Sequence, residues 1–241
     1  MFSTNDLAQE EARLVSVAQQ EYGDFFNMAE YAVRFLWRFC YEPNESCWIF
    51  VSLLGQVQKG IHLALLSNLR KHDVQTNMLL RYSLEAIPLS LYSLVFREEK
   101  YFAKYQEDGT VLPTEALKAS YKWLEKKFPQ QNGIIKYSKD SINKFSAHGN
   151  IIPASYNTDF SKDGKVTISF FDKDHSDVMK LRLWWISDIC YGYMNMVAIL
   201  NEEYPSVKLV ANFQEIMSDL FQAIKSTESQ LRNTDTFKKF L

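Results

Sequence analysis

Apolar positions recur at helical spacing along most of the chain, and the breaks between these runs predict its elements. Leu7, Leu14, Val15 and Ala18 share one face of a first helix that Thr4 or Asn5 caps and that runs to about residue 20, with Gly23 as a break. From 24 to 41, Phe25, Met28, Ala29, Ala32, Val33, Leu36 and Phe39 form a stripe broad enough to be buried. Over 46–71 the apolar residues nearly encircle the helix, as in a central element. A fourth helix over 74–99 starts after Asp73 as its cap and carries Pro88 inside it, which removes one backbone hydrogen bond and predicts a kink. Pro113 suits the first turn of a helix over 113–128, Pro129 stops it, and another helix covers 134–148 with Gly149 at its end. A long aromatic helix runs from Asp174 or Ser176 to about 203, and Ser206 caps a last one to about 232. The tail 232–241 is expected to fray.

One stretch breaks the helical period. Residues 156–171, YNTDFSKDGKVTISFF, alternate β-prone side chains around Asp163-Gly164, the signature of a tight hairpin. The expected fold is therefore all-α: one domain over 1–241, a multi-helix bundle of seven or eight helices with one small β-hairpin excursion. Composition agrees, because 46% hydrophobic residues supply a sizeable core while Gly and Pro together number only 14 in 241 residues.

Charge and cysteine usage narrow the chemistry. A net charge of -2 gives no global footprint for nucleic acid or anionic membrane, so such a contact requires a local patch. Three cysteines without a C-x-x-C pair read as reduced thiols, and MFSTNDLAQEEARL lacks the basic start of a secretory signal, so a cytoplasmic location is expected. The most apolar stretch, IPLSLYSLVF at 87–96, is too short to span a bilayer, and no membrane contact is expected. Glycine-rich phosphate loops, H-E-x-x-H and G-x-S-x-G are absent, and no cofactor or metal is called for. Cys190, within WWISDICYGYMNM, reads as a small buried hydrophobe.

The candidate site lies on the fourth helix. Asn77, Arg81 and Glu85 follow one another at i+4 and share one face of an oily helix, where they either pair among themselves or line a polar pocket with His148 from the helix end FSAHGN. His148 serves in that pocket as acid, base or anion ligand, or else it only meets the carbonyl end of its helix before a glycine stop. His72-Asp73 matches the dipeptide of metal-dependent phosphohydrolases, but RKHD also reads as a basic helix end followed by an acidic cap. A lysine-rich face, Lys118, Lys122, Lys126, Lys127, Lys136 and Lys139, is a solvated surface or a nucleic-acid backbone contact, with Tyr121, Trp123 and Tyr137 placed for stacking. Helices at 24–41 and 181–200 carry apolar residues on most faces and predict a homodimer.

LLRYSLEAIPLSLY at 79–92, followed by FSAHGN, loosely resembles a set of uncharacterised prokaryotic helical proteins in which an "LR...E" helix precedes a "yS..vH" helix end; in outline they are similar to HEPN domains. On this resemblance Arg81 is the helix arginine, Glu85 its carboxylate partner, and Ser146 and His148 the later motif. It implies a helical module of toxin, defence or nucleotide-handling systems. The Arg-His spacing of the HEPN ribonuclease signature does not occur in the chain. Two functions follow as expectations: a non-catalytic interaction or regulatory module of a prokaryotic, defence-related system, or a nucleotide- or nucleic-acid-handling enzyme that uses Arg81, Glu85 and His148.

Overall fold

Residues 24–36 keep their apolar stripe because it lies against an equally apolar partner far along the chain, and this pairing organises the bundle. The computed structural model describes residues 3–145, 155, 157–160, 163–173 and 176–234. Its helices are α1 (Thr4–Tyr22), α2 (Asp24–Leu36), α3 (Trp48–Leu69), α4 (Asp73–Val95), α5 (Ala116–Lys127), α6 (Pro129–Phe145), α7 (Ser176–Glu203) and α8 (Phe213–Arg232). Eight helices among the described residues, with only short antiparallel strand pairs, make this an all-α bundle. α3 and α4 form an antiparallel hairpin, α2 and α8 pack on α7, and α5 and α6 brace α4. A continuous apolar core joins them, with Phe35, Phe39, Phe50, Leu91 and Tyr193 almost wholly enclosed.

Local chemistry explains the boundaries, and it moves several of them. The first cap is Ser3, whose hydroxyl accepts from the Asp6 N–H while the Asp6 carboxylate accepts from the Ser3 N–H. Pro129 starts a helix as well as ending one, since its missing N–H costs nothing in a first turn. Pro113, expected inside a first turn, instead ends β3 (Val111–Pro113), paired with β2 (Ala103–Tyr105); Thr114 then caps the way into α5. Ser206 does not cap the last helix. Residues 208–209 form β6 (Lys208–Leu209) against β1 (Cys40–Tyr41), and the Ser206 hydroxyl accepts from Arg97 at 2.8 Å. The hairpin predicted at 156–171 is present as β4 (Thr158–Phe160) paired with β5 (Val166–Ile168), and Gly164 takes a positive φ of 74° in its turn.

Two other expectations change. No span was expected, yet the helical run Glu45–Leu69 contains an 18-residue window of mean hydropathy 1.4 and is by length and composition apolar enough to cross a membrane; half of that window is buried inside the bundle. The helices at 24–41 and 181–200 do not carry the surplus oily surface. They cover each other, leaving mainly Tyr31, Trp37, Tyr41 and Ile199 in solvent. His148, Ser146, Gly149 and the tail beyond 234 lie outside the described residues.

Asp188 on α7 is half-buried beside Lys225 and Glu228 of α8. Burial pushes its carboxyl above the ordinary value, the Lys225 charge opposes this and the Glu228 charge adds to it. The folded protein therefore holds this proton more tightly than the unfolded chain, and stability falls as pH rises through the unfolded carboxylate value, about 4. Asp188→Asn is expected to stabilise the protein by about 1 kcal/mol at neutral pH, and by nothing well below pH 4. Denaturant titrations at the two pH values measure the difference.

Candidate functional site

Pro88 builds the polar face of α4. A proline has no N–H, so the carbonyl four residues earlier, that of Leu84, loses its helical donor. The Tyr121 hydroxyl of α5 takes that place, donating to the Leu84 carbonyl at 3.2 Å. The same hydroxyl accepts from the Lys139 ammonium of α6 at 2.9 Å, and Lys139 also meets the Glu85 carboxylate at 3.0 Å. Arg81 stands one turn before Glu85 at 3.7 Å. Arg81, Glu85, Lys139 and Tyr121 thus form one chain of contacts across three helices, ending on a carbonyl freed by a proline.

Of the three sequence-predicted residues on α4, Arg81 and Glu85 are brought together, but at the surface, while Asn77 is buried against Asp73. Arg81 and Glu85 retain side-chain exposures of 37% and 32%, so their pairing contributes about 1 kcal/mol or less. The sequence reading missed Lys139 as the partner of Glu85 and Tyr121 as that of the Leu84 carbonyl, placing both on a lysine-rich face instead. The signal that finds Tyr121 is Pro88, which announces an orphan acceptor at Leu84. Burial pushes the Tyr121 phenol up, and the adjacent ammonium only partly opposes this. Burial alone would lower Lys139, yet hydrogen bonds to Tyr121 and Glu85 outweigh it and hold the ammonium above its ordinary value. Tyr121→Phe leaves the Leu84 carbonyl without a donor and is expected to cost about 1–2 kcal/mol in chemical denaturation. Adding Pro88→Ala restores the backbone N–H, so the phenylalanine change should cost measurably less in that background.

A deeper polar cluster surrounds the α3–α4 turn. Lys71 adopts a positive φ of 60°, and the His72 N–H donates back to the Ser67 carbonyl at 3.0 Å, closing α3 as glycine usually does. Asp73 was expected to cap α4 with its side chain. Instead Asp172, arriving from the β-hairpin, accepts from the Asp73 N–H at 2.6 Å and donates its own N–H to the Lys71 carbonyl at 3.0 Å. The Asp73 carboxylate is left to pair with Arg182 of α7 and to accept from the Asn77 amide at 2.9 Å. Their side chains are 1% and 11% exposed, so this pair is buried. His72 turns the other way, bonding Glu11 of α1 at 3.0 Å and stacking on Phe171. The His-Asp dipeptide therefore points to two separate sets of partners. Among the described residues, no cluster of three or more His, Cys, Asp or Glu side chains is arranged to hold a metal.

The lysine-rich face is largely paired with acids. Lys118 meets Glu115, Lys127 meets Glu203, Lys136 meets Glu125 at 3.1 Å and Lys139 meets Glu85, while Lys122 and Lys126 are exposed. Cys190 is enclosed and burial pushes its thiol up, as for a packing residue; Cys40 is pushed up to about 12 by the same cause. A different surface stands out. Trp48, Val51 and Leu63 of α3 and Val74, Met78 and Tyr82 of α4 are large apolar side chains between 39% and 56% exposed. No protein-family model, curated protein or solved structure matches the chain.

Proposed function

We propose that this chain is a helical interaction or regulatory module of a prokaryotic, defence-related system, without catalysis of its own. The observation that carries the reading is the apolar outer face of the α3–α4 hairpin, because exposed side chains of that size in one region mark contact surfaces. The polar groups support it from the other side. Glu85, Lys139 and Tyr121 join α4 to α5 and α6, and Asp73 with Arg182 joins α4 to α7, so both clusters act as braces between helices. The prokaryotic and defence setting comes from the loose HEPN-like likeness of residues 79–92 and the later FSAHGN.

Incubating the full chain with RNA, DNA and a nucleotide panel tests this reading. No turnover is expected. Robust turnover that His148→Ala or Glu85→Ala abolishes would overturn the module and establish an enzyme built on Arg81, Glu85 and His148.

A further inference from the structure

We infer that the outer face of the α3–α4 hairpin is where two copies of this chain meet. The inference rests on the interaction-module reading and names the occupant of that surface. α3 is the helix with span-like hydropathy, and half of its apolar window stays outside the core. Leu63 lies beside the outward residues of α4, while Trp48 and Val51 continue the outer side of α3 past exposed Ser52, Gln56, Lys59 and His62. A Cβ added to Gly60 of α3 would lie 3.3 Å from the Tyr82 ring, which places Tyr82 beside α3 within one turn of Leu63, with Met78 and Val74 following along α4 at i-4 steps.

Area and charge both favour a second copy. Six large apolar side chains at about half exposure present roughly 500 Å² on one chain, so two such faces bury roughly 1,000 Å² before polar neighbours are added, which reaches the size of specific interfaces. Between residues 48 and 69 there is no Asp or Glu and Lys59 is the sole Lys or Arg, and on α4 the charges beside Tyr82, Arg81 and Glu85, already pair with each other, so little unpaired charge must be desolvated when like meets like. The same count argues against lipid. Surface-bound helices add a basic cluster to their apolar side, and α3 offers one lysine in a chain of net charge -2.

The face also suggests its own crossing point. Gly55 stands about two turns from both Trp48 and Leu63, and nothing lies within 4 Å of the direction its Cβ would take. Two copies of α3 crossing antiparallel at Gly55 place Trp48 of each copy over His62 and Leu63 of the other, the self-complementary arrangement of a twofold interface.

Sedimentation and light scattering over a concentration series provide the test. The wild-type chain is expected at twice its 28.2 kDa mass. Trp48→Glu with Met78→Glu, both at exposed positions, should weaken the dimer by roughly tenfold or more while circular dichroism and melting temperature stay unchanged. A wild-type monomer at high protein concentration overturns the proposal, and so does a dimer that the double substitution leaves intact. Flotation with phosphatidylcholine vesicles covers the lipid alternative; vesicle binding by wild type that Met78→Glu abolishes also overturns it. The outcomes are separable from those of the ligand panel: a monomer with no turnover removes only the dimer, whereas a dimer with nucleotide turnover removes only the non-catalytic reading.

Discussion

Asp73→Ala will destabilise this protein by about 3–5 kcal/mol, the loss expected when one member of a buried ion pair is removed. Asp73 is enclosed, and the Arg182 guanidinium it faces is nearly so; without the carboxylate, Arg182 holds a positive charge in a poorly solvated place. The Asn77 amide loses its bond to Asp73 in the same step. The cost is therefore mainly that of removing the carboxylate that compensates this buried cation. That cost is measurable, because Asp73→Ala combined with Arg182→Met should recover much of the stability by replacing the buried cation with an apolar side chain of similar length. Urea denaturation of the singles and the double decides it. A single-mutant loss below about 1 kcal/mol would place the pair with ordinary surface bridges.

Gly60→Ala carries the second large effect, and its sign opposes helix propensity. Alanine favours a helix interior by about 1 kcal/mol over glycine, so an open site would gain stability. Here the new Cβ would sit 2.4 Å from the Ser83 hydroxyl oxygen, and Ser83 is wholly buried while donating to the Leu79 carbonyl. The hairpin must open locally or Ser83 must leave its rotamer, so a net loss of about 1–3 kcal/mol is expected. Ser83→Ala removes the obstructing oxygen and leaves its Cβ 3.6 Å away, an ordinary contact. The Tyr82 ring, 3.3 Å from the new Cβ and half exposed, must still give by a few tenths of an ångström, so the double variant Gly60→Ala with Ser83→Ala should recover most of the loss, and its departure from additivity reports the Ser83 contact directly. Additive losses would mean that the two helices approach less closely than this.

The period of the apolar residues was enough to determine the helices, because a 3.6-residue repeat has no other way to bury one face. It was also enough to place Arg81 beside Glu85, since i+4 spacing on a helix is a local fact, and to locate the β4–β5 turn from Asp163-Gly164. Boundaries were less legible where two local signals competed. Pro113 fits a strand end as well as a helix start, and Ser206 fits an acceptor for Arg97 as well as a cap, and contacts with distant residues chose in each case. What sequence could not reveal are the partners across helices. Lys139 belongs to Glu85, Tyr121 to the Leu84 carbonyl, Arg182 to Asp73 and Asp172 to the Asp73 N–H; the last two pairs are about a hundred residues apart, and no local period encodes them. The apolar face was misplaced for the same reason. By its apolar pattern α3 reads as a central helix and α2 and α7 as the ones with oily surface to spare, but only packing decides which oily helices cover each other, and it left large apolar side chains exposed on the outer side of α3 and α4.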